Sequence, residues 1–318
     1  MAPRGSFRKQ SVFPYYHLIT DVKLPHISQL YPYKGDAVFL SDLEILTSNY
    51  HQLELKDLGN DTSPENGFLL TFDDGLREIY THVYPVLKQK GIKAAFFLNP
   101  DFVDNNQALY KHEISVLLDD LDRRKFPSDL LRQIADILEF KFSDATDFRT
   151  KILKLPYAKR GLLPQALKIA DVDISAFLKN QKPYITTDEI REMIADGFYF
   201  GGHTMSHPPL QQLSLEEQKK QIIDSIEWVK SNFGIPYSIF AFPFSDKPAS
   251  EKLVKSLLDY DPEILIFGNS GLKKDISPRI IQRFSIEDPS REIQKVIGME
   301  NLYKVFNKIT GNYKIRRK

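Results

Sequence analysis

Residues 67–98 read GFLLTFDDGLREIYTHVYPVLKQKGIKAAFFL, and the order of apolar and polar positions in this stretch decides the fold class. Gly67 to Phe72 is a short apolar run that ends on Asp73-Asp74-Gly75. Ile79, Val83, Val86 and Leu87 then recur at helical spacing, and Gly91 stands where a helix stop belongs. Ile92 to Leu98 is a second apolar run. Apolar runs of this length without polar alternation suit strands buried on both faces, so the stretch predicts a strand, a helix and a second parallel strand.

The same grammar returns downstream. Thr186-Thr-Asp-Glu189 and Ser214-Leu-Glu-Glu217 are capping-box patterns ahead of amphipathic helices that stop near Gly197 and Gly234. Each helix is followed by a strand candidate, Phe198 to Phe200 and Ser238 to Phe242. A helix over 250–258, a strand over 263–267, a last strand over 280–286 and a helix near 290–309 complete the series. Alternating units of this kind wind around a parallel sheet or barrel. Between about 105 and 183 the strand signals give way to helix, which reads as a helical insertion within a single domain spanning 1–318. The tail Lys314-Ile-Arg-Arg-Lys318 reads as a solvated or frayed end.

Composition narrows the chemistry. Basic and acidic residues nearly cancel, 43 against 42, which argues against a nucleic-acid partner. With no cysteine, thiolate nucleophiles and Cys-ligated metals are excluded, so any metal is held by His, Asp and Glu. The N-terminal segment lacks the apolar core of about 7–15 residues that a secretory signal needs. No apolar run approaches the roughly 18–20 residues of a membrane span. The expectation is a cytoplasmic protein without stable membrane insertion, and no feature of the sequence sets an oligomeric state.

Open α/β sheets and barrels build their sites at the C-terminal ends of the strands. Asp73-Asp74 follows one expected strand, His203 and His207 a second, and Pro243-Phe244 a third. Two adjacent carboxylates crowd like charges unless a cation lies beside them. One carboxylate plus two imidazoles make a three-ligand set for a divalent cation, with positions left for water and substrate. The spare carboxylate is then available as a base.

Thr71-Phe-Asp-Asp-Gly75 together with His203-Thr-Met-Ser-His207 resembles the leading motifs of the NodB-like polysaccharide deacetylases, carbohydrate esterase family four. The resemblance implies a distorted (β/α) barrel, carrying a helical insertion here, that hydrolyses an acetyl group from a sugar or polysaccharide intermediate with a divalent metal, zinc foremost. It assigns Asp73 as general base and Asp74, His203 and His207 as metal ligands. Phe244, after Pro243, is the expected backbone donor to the oxyanion. Carried into a cell, the activity suits surface polysaccharide assembly on an acetylated glycan.

Two departures from the family pattern stand out. The third motif reads Ala241-Phe-Pro-Phe244 and lacks the usual Arg, whose charge Arg283 in the last strand is expected to replace. The late histidine motif is absent, and His17 in Tyr15-Tyr-His-Leu18, which resembles a Tyr-His of one branch of the family, is the expected general acid. These departures keep two alternatives open, a catalytically inactive carbohydrate-binding barrel and a hydrolase of a non-sugar amide. His26, His51, His82 and His112 receive no role, His82 being a helix-surface residue.

Overall fold

In the computed structural model, which describes residues 10–60 and 64–317, the run Ala94–Leu98 (AAFFL) is a strand with every residue buried. Alternate side chains take opposite faces. Phe96 and Leu98 pack outward with Phe72 and Phe200 against the helices, whereas Ala95 and Phe97 point inward with Ala241, Phe267 and Ile281. The barrel thus carries one core inside its ring of strands and another between the ring and the helices.

In chain order the strands are β1 (Pro14–Tyr16), β2 (His51–Gln52), β3 (Gly67–Phe68), β4 (Leu70–Phe72), β5 (Ala94–Leu98), β6 (Tyr199–Gly202), β7 (Ile239–Ala241), β8 (Leu265–Gly268), β9 (Ile280–Gln282) and β10 (Phe284–Ser285). β2 and β3 form a small parallel pair of their own. The main sheet runs β10-β1-β4-β5-β6-β7-β8-β9, with parallel neighbours throughout. Its two outer members, β9 and β10, are one run of chain interrupted only by Arg283. The first half pairs with β8 and the second with β1, so this last strand closes the sheet into a (β/α) barrel.

The helices are α1 (Asp36–Asn49), α2 (Tyr84–Lys90), α3 (Tyr110–Arg123), α4 (Ser128–Ile137), α5 (Ala145–Leu153), α6 (Leu163–Ile169), α7 (Ile174–Gln181), α8 (Thr187–Ala195), α9 (Leu215–Phe233), α10 (Glu251–Tyr260) and α11 (Ile293–Ile309). Thr186 and Ser214 cap α8 and α9 with both capping-box hydrogen bonds in place, and Ser250 caps α10. Gly91 and Gly234 close α2 and α9 in the left-handed conformation. The stretch expected as one helix after Gly75 begins instead with a wide π-type turn, Ile79–Val83, before α2. α9 lies so close to β6 that a Cβ on Gly202 would come within 2.3 Å of Ser225 Oγ.

Helices α3 to α7 fall between β5 and β6 and bury a cluster of their own, centred on Leu117, Ile134, Phe148 and Leu163. Leu18 and Ile27 of the N-terminal segment join that cluster and fasten it to the barrel. The basic tail departs from the expectation of a frayed end. Arg317 is buried and bonds to both Asp246 and Asp275, because the tail returns alongside Lys274.

Candidate active site

Inward-facing positions of β1, β4 and the last strand converge at the C-terminal rim. The period of two carries Thr71 to Asp73 and Ile281 to Arg283, and Tyr15 lies in register with Thr71. Arg283 is fully buried and donates from Nη1 to Asp73 Oδ1 at 2.7 Å and from Nη2 to Asp73 Oδ2 at 2.9 Å. It also donates to Thr71 Oγ1 and to the Gly268 carbonyl, and its guanidinium lies 4.7 Å from the Tyr15 ring centroid. This forked contact fixes the carboxylate plane as well as its charge. Burial works to raise the pKa of Asp73, but Arg283, His203 and His17 together outweigh it and hold the carboxyl below its ordinary range.

Asp74 turns the other way. Its backbone is left-handed, φ +71°, and Gly75 follows at +62°. Thr204, His207 and Phe244 are left-handed too, and such strain in non-glycine residues concentrates at functional sites. The turn sets Asp74 Oδ1 3.3 Å from His203 Nε2 and 3.2 Å from His207 Nε2. His203 Nδ1 lies 2.8 Å from the Ala241 carbonyl, which only accepts, so Nδ1 carries the proton and Nε2 keeps its lone pair. Asn99 braces the loop by donating to the carbonyls of His203 and Thr204.

These three residues fit a divalent cation. Asp74 Oδ1 is buried without a hydrogen-bond partner, and one ligand atom from each residue lies within 4.8 Å of the others. Burial lowers the pKa of His207, while the nearby imidazoles hold Asp74 ionised against its own burial. Two imidazoles with a carboxylate are a donor set suited to zinc and its neighbours.

The remaining expected residues meet here as well. His17 Nε2 lies 3.9 Å from Asp74 Oδ2, and its Nδ1 is 2.7 Å from Glu287 Oε2. Burial would lower its pKa, but Glu287 and Asp74 push it up to about 10. Phe242 and Phe244 line the cleft with Pro243 buried between them, and the Phe244 ring lies 4.4 Å from that of His207. The Phe244 carbonyl accepts from Asn269 Nδ2 at 2.7 Å.

Glu287 and His112 escaped the sequence reading. Glu287 stands just past the end of the last strand, a rim position that could have flagged it. His112 lies on α3, remote in sequence from every motif, yet it lines the same cleft of about 370 Å³. Tyr184 Oη accepts from Leu109 N–H and lies 2.7 Å from His112 Nδ1. His112 Nε2 is buried without a hydrogen-bond partner. His82, by contrast, pairs at the surface with Asp36.

The chain is 23% identical over 251 residues to the peptidoglycan-N-acetylmuramic acid deacetylase PdaC of Bacillus subtilis, covering 73% of this chain and 52% of that one. It thus spans about half the length of that relative. Its fold is similar to that of the Streptococcus pyogenes deacetylase PplD in complex with acetate, with TM-score 0.57, 16% identity and coverage of 92% and 98%. IcaB from Ammonifex degensii is similar at TM-score 0.53, 15% identity and coverage of 92% and 97%. The family model described as polysaccharide deacetylase matches residues 60–138 and 161–262. As that match takes in more than half of the residues, the chain belongs to the polysaccharide deacetylase family.

Proposed function

We propose that the protein is a metal-dependent deacetylase of an acetylated sugar or glycan. The observation that carries this reading is the division of labour between neighbouring carboxylates, Asp73 locked to Arg283 and Asp74 facing two imidazoles. A divalent cation held by Asp74, His203 and His207, zinc foremost, supplies polarisation of the acetyl carbonyl and acidification of a water. Asp73, ionised and held in one plane, accepts the proton of the attacking water. The Phe244 N–H has no hydrogen-bond partner among the described residues and is available to the oxyanion. His17, oriented through Nδ1 by Glu287, returns a proton from Nε2 to the departing amine or alcohol. The Phe244 ring, exposed at the rim, offers a stacking face to a sugar ring. A cellular setting in surface polysaccharide assembly agrees with this chemistry.

Acetate release from acetylated chito-oligosaccharides, measured with added zinc, tests the reading. Asp73→Asn is expected to lower turnover by about 10²- to 10⁴-fold while zinc titration still gives one site. Sugar binding without acetate release in the wild type would favour the inactive carbohydrate-binding barrel instead.

A further inference from the structure

Helix α11 buries Ile293, Val296 and Ile297 against the barrel and then continues for three more turns with apolar side chains turned to water. Leu302, Tyr303, Val305, Phe306 and Ile309 are 54–79% exposed. At about 100° per residue, Met299, Leu302, Tyr303, Phe306 and Ile309 share one side of the helix. Glu300, Lys304 and Asn307, each partly buried, occupy the opposite side. An apolar stripe this continuous is more than the scattered hydrophobics of an ordinary surface, and it marks a contact site.

Charge is segregated at the same corner. Lys304 and Lys308 on α11, Lys314 and Arg316 on the tail, and Lys273 and Lys274 beside the tail gather six cations around one carboxylate, Glu300, which Lys273 attracts, in a chain of net charge only +1. Hydrogen bonds from Lys274 N–H to the Tyr313 carbonyl and from Ile315 N–H to the Lys274 carbonyl hold the tail there. Lys308 Nζ lies 5.0 Å from the Tyr313 ring centroid. Burial, and then Lys308 and Lys274, lower the pKa of Lys304, as expected where cations crowd.

An isologous contact with a second copy would set this cluster against itself, at an electrostatic cost. An anionic bilayer surface accepts both features, the apolar side chains entering the acyl boundary and the cations meeting the headgroups. We propose that the outer half of α11 and the adjoining basic cluster dock the protein onto an anionic lipid bilayer, with the helix lying in the headgroup plane. None of the helices among the described residues is long and apolar enough to cross a membrane, so the contact is peripheral.

Co-sedimentation of the full chain with phosphatidylcholine vesicles, with and without phosphatidylglycerol, tests this. The expected result is binding to the anionic vesicles that weakens as salt is raised. Binding should fall about 10-fold or more in Leu302→Ser/Phe306→Ser/Ile309→Ser and in Lys314→Glu/Arg316→Glu, with unchanged thermal melting because both sets of side chains are exposed. No binding to anionic vesicles at low salt would overturn the proposal, as would binding by both variants at the wild-type level. So would sedimentation-velocity dimers in the wild type that the serine variant dissolves while vesicles are ignored, since the occupant would then be a second copy. Deacetylase activity does not enter any of these readouts.

Discussion

Asp73 keeps its negative charge at a buried position because Arg283 reaches it through two hydrogen bonds from across the ring. Replacing Arg283 with Met removes the orienting fork and leaves burial as the dominant influence on the carboxyl. Turnover is expected to fall by about 10²-fold, with zinc affinity, read by titration calorimetry, changed little. Since the Asp73 carboxyl would then protonate at higher pH, the acidic limb of the pH–rate profile should move upward. An unmoved limb and an unchanged rate would remove Arg283 from the mechanism. Asp73, Asp74, His203 and His207 were legible as motif residues. Glu287 was not, because it meets His17 only in the folded chain, and His112 reaches the cleft only where folding places α3.

At the scale of the element, most boundaries are written locally. The capping boxes at Thr186 and Ser214 and the helix stop at Gly234 depend on residues a few positions apart, so they can be read without the fold. β1 has only three residues and α1 lacks a clear apolar stripe, so neither announces itself before its neighbours are known. The tail is the sharpest case. Arg317 looks like one more solvated cation, yet its side chain is buried and bonds to Asp246 in the loop that follows Phe244, and to Asp275. Arg317→Ala is therefore expected to destabilise the fold by about 3–5 kcal/mol, because two carboxylates lose their cation inside the protein. Urea denaturation measures it, and a loss below about 1 kcal/mol would mean the tail is held by other contacts.

Over the whole molecule, helices α3 to α7 join the barrel by packing apolar residues and also around one buried histidine without a hydrogen-bond partner. His26 has neither ring nitrogen hydrogen-bonded, lies 5.4 Å from His112 between ring centroids, and is pushed by burial down to about 3. Below pH 6.5 the unfolded chain protonates this ring while the folded chain does not, so its contribution to stability declines as pH falls toward 3. Relative to His26→Phe, the wild type should lose up to ~1.4 kcal/mol per pH unit across that window. Urea unfolding at a series of pH values gives the difference directly, and parallel profiles for the two proteins would contradict it. The sequence by itself determined the alternation of strands and helices, the run of helices between β5 and β6 and the motif residues at the strand ends, because each rests on local periodicity or on short contiguous patterns. Closure of the ring by a single strand broken at Arg283, the meeting of His17 with Glu287, and the wall that α3 lends to the cleft were decided only by tertiary structure. Those contacts join residues up to 270 positions apart, and nothing in the spacing of side chains along the chain encodes which of them will meet.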